Sequence, residues 1–73
     1  MEPHVERMLK EQEELTDRMI KLGNFISENP IFDTLSKDEQ SDMYLQLQSM
    51  SMYNTILSRR IERASEKEKD SKD

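Results

Sequence analysis

A chain of 73 residues holds one small domain; with no cysteine it has neither disulfides nor thiolate metal sites, and its single histidine, His4, cannot build a metal site alone. Of the devices that stabilise small folds, oligomerisation is the one left. A net charge of -5 argues against duplex nucleic acid as a partner, and no apolar run reaches the roughly 20 residues of a membrane span or forms the core of a signal peptide.

The spacing predicts a first helix over residues 3–28. Pro3 suits an early helical position. Val5, Met8, Gln12, Leu15, Met19, Leu22 and Ile26 recur at alternating intervals of three and four, a heptad seam, while the other faces read as charged. Glu6 with Lys10, Glu14 with Arg18 and Asp17 with Lys21 stand four apart, acid first, the orientation that supports a helix. Gly23 is a poor helix former by about 1 kcal/mol and marks close packing or a fraying last turn.

Residues 29–35 read as a connection. Asn29-Pro30 stops the helix, because proline disfavours helical geometry in the residue before it. Ile31, Phe32 and Leu35 are expected to close the end of the core. Ser36 then starts a second helix over 36–64, with Glu39 three residues on completing a capping box.

The second helix carries its own seam: Met43, Leu47, Met50, Asn54, Leu57, Ile61 and Ala64. Antiparallel pairing gives layers whose residue numbers sum to 65 or 66, so that Ile26 meets Gln40, Leu22 meets Met43, Met19 meets Leu47, Leu15 meets Met50, Met8 meets Leu57 and Val5 meets Ile61. The polar interruptions Gln12 and Asn54 fall in one layer, either to fix register or to line a cavity. The fold class is therefore all-α: an antiparallel two-helix hairpin over residues 1–64, assembling into a homo-oligomeric helical bundle, with residues 65–73 as a disordered polar tail.

Residues 43–58 hold no charge in a chain that is 37% charged. On a wheel of 100° per residue, Leu45, Met52 and Ile56, with Ser49 between them, project opposite the seam. This outward stripe reads as the oligomer interface, with second helices packed centrally and first helices outside. Tyr53 and Arg60 lie on one flank of the stripe, and Arg59 and Arg63 continue it. Two readings stand for them. Tyr53 packs at a subunit boundary with a wet hydroxyl while the arginines pair with Glu62, Glu66 or a neighbour. Alternatively Tyr53, Arg60, Asn54, Arg59 and Ser49 line a ligand pocket, tyrosine stacking on a base and arginine holding phosphate.

Catalysis is not expected. The acidic cluster Glu11, Glu13, Glu14 and Asp17 lies on the solvated side of its helix, no base stands beside a nucleophile, and Gly23 cannot form a phosphate loop alone. No cofactor is implied.

Glu-Leu-x-x-x-Met-x-Lys-Leu at residues 14–22, Phe25-Ile26, Asn29-Pro30-Ile31-Phe32, Leu35-Ser36, Glu39-Gln40 and Gln46-Leu47-x-x-Met50-x-x-Tyr53-x-x-Ile56-Leu57-x-x-Arg60-Ile61 together resemble small bacteriophage helical proteins, including those of crAss-like phages. A looser resemblance is to the phage anti-CBASS and anti-Thoeris hairpins that oligomerise and sequester nucleotide second messengers. In those, a Leu-Glu-Glu-Ala-x-Met-Trp stretch precedes an arginine. Here Leu47-Gln48-Ser49-Met50-Ser51-Met52-Tyr53 and Arg60 stand in that place, with tyrosine for tryptophan and Ser49 and Met50 for acid and alanine. The resemblance implies a non-enzymatic sponge in the host cytoplasm, binding a cyclic nucleotide or ADP-ribose-type signal between subunits. Two other functions fit the residues. The acids from Glu11 to Asp17, with Asp38, Glu39 and Asp42, suit an inhibitor that binds a host defence protein directly, and an assembly accessory with no ligand needs only the hairpin.

Overall fold

The computed structural model describes residues 2–70, with side chains through Glu66, and is all-helical over them. Helix α1 spans Pro3–Glu28, a single turn α2 spans Ile31–Thr34, and α3 spans Lys37–Asp70. Together they form a rod 58 Å long and 15 Å across, with a radius of gyration of 16.7 Å. A compact globule of this length would have a radius of gyration of about 11 Å, so nothing among the described residues lies outside the two long helices to shield their outer faces.

Each helix end has a local cause. Pro3 opens α1 without a side-chain cap, and the Asn29 backbone N–H closes it on the Phe25 carbonyl at 3.2 Å. Asn29 then turns its side chain forward, so that Oδ1 accepts the Ile31 N–H at 2.9 Å and starts α2. The expected connection is thus partly helical. Ser36 caps α3: its hydroxyl accepts the Glu39 N–H at 3.1 Å and its carbonyl the Gln40 N–H at 2.9 Å. The Gln40 side chain, expected opposite Ile26, instead donates to the carbonyls of Phe32 and Leu35 and ties the turn to α3. The helix runs on to Asp70 instead of ending at Ala64. Glu66, Lys67, Glu68 and Lys69 are good helix formers, and no glycine or proline follows Pro30 to stop them. Residues 71–73 of the expected tail lie outside the described residues.

α1 packs along α3, with the start of α1 beside the later part of α3. Every residue of the two predicted seams is buried or half-buried, as a heptad pattern facing a partner helix requires. The core is concentrated away from the turn. Val5 and Leu57 are fully enclosed and cluster with Met8 and Leu15, and Met19, Met50, Ile61 and Ala64 pack against them. Near the turn Phe32 is buried separately. It stands edge-on to Phe25, with centroids 6.4 Å apart, and to Tyr44, at 5.7 Å. Ile31, expected to close the core with Phe32 and Leu35, is 56% exposed; α2 turns it outward while directing Phe32 in.

The outer surface of α1 also departs from expectation. Leu9 and Ile20 are apolar, exposed, and about 90–110° from the seam by helical rotation. α1 therefore carries apolar groups on a second line, which its charged neighbours mask in the sequence. Of the three expected ion pairs, Asp17–Lys21 closes, at 3.0 Å on exposed side chains.

Candidate ligand-binding site

Helical rotation divides the rod into two sides, and contacts between α1 and α3 fix which flanks share a side. On one, Glu11 of α1 meets Tyr53 of α3 through the tyrosine hydroxyl. On the other, the Gln12 amide donates to the Ser58 hydroxyl at 2.6 Å. The first side carries Arg7, Glu11, Glu14 and Arg18 from α1, facing Tyr53 and Arg60 from α3. The second carries Leu9, Thr16, Ile20 and Gly23, facing Tyr44, Ser51, Thr55 and Ser58.

On the charged side a cleft of about 330 Å³ is lined by Arg7, Met8, Lys10, Glu11, Glu14 and Arg60. Three cations stand there against two carboxylates, on a floor of buried Met8. Tyr53 lies at its edge with about two-fifths of its surface exposed. The hydrogen bond to Glu11 holds the Tyr53 phenol above its usual ionisation range, with lesser help from desolvation and from the Glu11 charge, against an opposing pull from Arg60. The phenol is thus a protonated donor at neutral pH, aimed at a carboxylate, with its ring partly open to solvent.

The five residues singled out in the sequence do not form one cluster within the chain. Tyr53 and Arg60 share the charged side, and helical rotation puts exposed Ser49 on the same flank. Asn54 is in the seam between the helices. Its backbone carbonyl receives the Gln12 amide at 3.5 Å, while its side-chain Oδ1 is buried without a hydrogen-bond partner. The expected pairing of the Gln12 and Asn54 side chains is replaced by Gln12–Ser58, because the longer glutamine reaches one turn further along α3. Arg59 faces elsewhere, bordering an open groove with Gln48, Ser51, Met52, Thr55 and Ile56 on the outer surface of α3. The stripe residues Leu45, Met52 and Ile56 are 55%, 67% and 44% exposed.

Sequence reasoning missed Arg7, Lys10, Glu11 and Glu14. The signal was present: Arg7, Glu11 and Glu14 repeat at helical spacing on one flank of α1, and the antiparallel register brings that flank level with Tyr53 and Arg60. The cleft can offer an aromatic face, cations for an anionic group and carboxylates for hydroxyls. Among the described residues no group of side chains could hold a metal ion, and no helix is long and apolar enough to cross a membrane.

Comparison with curated proteins and with solved structures gives no match. The model of one protein family, Sequestin, matches residues 2–63, which takes in α1, α2, the charged cleft and the uncharged window of α3. The chain belongs to the Sequestin family.

Proposed function

We propose that this protein is a bacteriophage anti-defence sponge, a helical hairpin that assembles into a homo-oligomer and holds a nucleotide-derived immune signal in the host cytoplasm without transforming it. The family name points to sequestration. The observation that carries the choice of ligand class is the cleft beside Tyr53, where Arg60 stands with Arg7 and Lys10. Guanidinium groups hold phosphate oxygens bidentately, a half-exposed tyrosine ring stacks on a base, and Glu11 and Glu14 accept ribose hydroxyls. Cyclic nucleotides and ADP-ribose derivatives combine those three groups. A sponge needs tight binding alone, and no base or nucleophile is required in the cleft.

Native mass spectrometry of the purified protein, with a panel of cyclic dinucleotides, cyclic trinucleotides and ADP-ribose derivatives, tests this reading. The expected result is an oligomer that gains whole ligands in a fixed ratio, and that loses them in Arg60→Ala and Tyr53→Ala without changing its subunit number. An oligomer that stays bare across the panel overturns the sponge and favours a protein partner. Normal binding by both variants means that the ligand sits elsewhere.

A further inference from the structure

We infer that the uncharged side of the helix pair, built from α1 as well as α3, is the surface on which a second copy of this chain docks. The inference rests on the oligomeric hairpin proposed above and replaces a contact made by α3 alone with one that uses both helices. Its apolar groups are Leu9 and Ile20 on α1, 38% and 56% exposed, and Tyr44 on α3, 52% exposed, with Met52, 67% exposed, at its border across the groove from Ser51 and Thr55. Helical rotation places Leu9 and Ile20 on the same side as Gln12, and the Gln12–Ser58 bond puts that side of α1 next to Tyr44, Ser51 and Thr55. Met52 lies where this side rounds onto the back of α3. At the register set by the helices, Leu9 is level with Thr55 and Ile20 with Tyr44.

Three observations fit this surface for a dry contact. Several of its polar groups are already satisfied within the chain. Gln12 donates to Ser58, the Thr55 hydroxyl to the Ser51 carbonyl at 3.1 Å, and the Ser27 hydroxyl to the Gly23 carbonyl at 2.9 Å. Covering these bonds leaves their donors paired, which lowers the desolvation cost that normally opposes burial of hydroxyls. Next, Gly23 lies on this side and a Cβ there would meet nothing within 4 Å, so no neighbour in its own chain requires a glycine. The open backbone there leaves room for a partner helix to approach closely. Finally, the side is free of charge between Leu9 and Ser27 except for Glu13 at its outer edge, and between Met43 and Ser58 entirely.

Charge identifies the occupant as a second copy. Contacts across a two-fold axis are self-complementary, so each surface meets itself. In a chain of net charge -5, the back of α1, with Glu6, Glu13 and Asp17, would bring carboxylate against carboxylate, and the cleft side would bring its cations together as well as its acids. The uncharged side can meet itself without that repulsion. Its burial also adds the second layer that a rod 15 Å thick lacks, and it leaves the Tyr53–Arg60 cleft open on the opposite side.

Alanine variants test the surface. Ile20 and Met52 are largely exposed in the single chain, and alanine is the best helix former, so truncation there costs an isolated hairpin little. Ile20→Ala and Met52→Ala are each expected to weaken self-association at least about tenfold, measured by sedimentation equilibrium. Ile31→Ala, at an equally exposed residue by the turn, should leave it unchanged. Loss in Met52→Ala with none in Ile20→Ala overturns the role of α1 and restores a contact through α3 alone. Equal losses in all three variants, or a wild-type chain that is monomeric, overturn the surface altogether. The ligand panel reads out separately. An oligomer weakened by Ile20→Ala that binds no nucleotide leaves this interface standing and removes the sponge.

Discussion

The Gln12 amide of α1 is bonded to the Ser58 hydroxyl of α3, not to the Asn54 side chain in its own layer, and the buried Asn54 Oδ1 is left without a partner. A buried acceptor with no donor forfeits its hydration for nothing in return, at a cost of about 1–3 kcal/mol. Replacing Asn54 by leucine keeps the seam apolar and removes that cost. Asn54→Leu is expected to raise stability by about 1 kcal/mol in urea unfolding. A fall of similar size would show that Oδ1 is satisfied in the assembled protein.

The seam depends most on its deepest residue. Leu57 is fully enclosed against Val5, Met8 and Leu15, and its truncation leaves a cavity that two helices close poorly. Leu57→Ala should cost about 3 kcal/mol. In a chain with so small a core that is enough to abolish the cooperative melting transition seen by circular dichroism. Retention of a sharp transition near the wild-type temperature would contradict the packing described.

Ser36 fixes the start of α3 through one hydroxyl. Ser36→Ala removes the acceptor for the Glu39 N–H and is expected to destabilise by about 1 kcal/mol, whereas Ser36→Asp should retain most of it. Equal stability of the alanine and aspartate variants would show that the Gln40 bonds to Phe32 and Leu35 hold the turn unaided.

Tyr53 gives the charged cleft a pH signature. Its phenol is raised by Glu11, so the contact contributes while the phenol is protonated, fully below the ordinary tyrosine value of about 10, and is lost as pH rises through the higher folded-state value. In a Tyr44→Phe background, phenolate absorbance reports Tyr53 alone. Glu11→Gln is expected to move that titration downward, toward the ordinary value. An unchanged titration would mean that the Tyr53–Glu11 contact is absent in solution.

The seams were legible because each position must satisfy the same condition along the whole helix, so Val5 to Ile26 and Met43 to Ala64 announce themselves by spacing. The Ser36 N-cap was legible because its signal lies within four consecutive residues, although of the expected capping box only the Ser36 hydroxyl's bond to the Glu39 N–H forms. What escaped depends on distance in sequence. Arg7, Glu11 and Glu14 look like ordinary solvated charges until α3 brings Tyr53 and Arg60 beside them. Leu9 and Ile20 were hidden among charged neighbours, and their meaning comes from Ser58 and Tyr44 on the other helix. Arg59 and Arg60 are adjacent in sequence, yet helical rotation separates them by about 100°, so a motif containing both cannot say which belongs to the cleft.

The most tightly enclosed pair, Val5 and Leu57, lies well away from the turn, beside the start of α1, and its members stand 52 residues apart in the chain. Short-range contacts near Phe32 can form early, but the decisive one closes a loop containing nearly everything else. During synthesis, α1 cannot complete the packing around its best residues until Leu57 has been made and freed. The emerging chain must therefore pass most of its life on the ribosome with its seam uncovered, and a cut anywhere before Leu57 leaves no fragment that keeps the core.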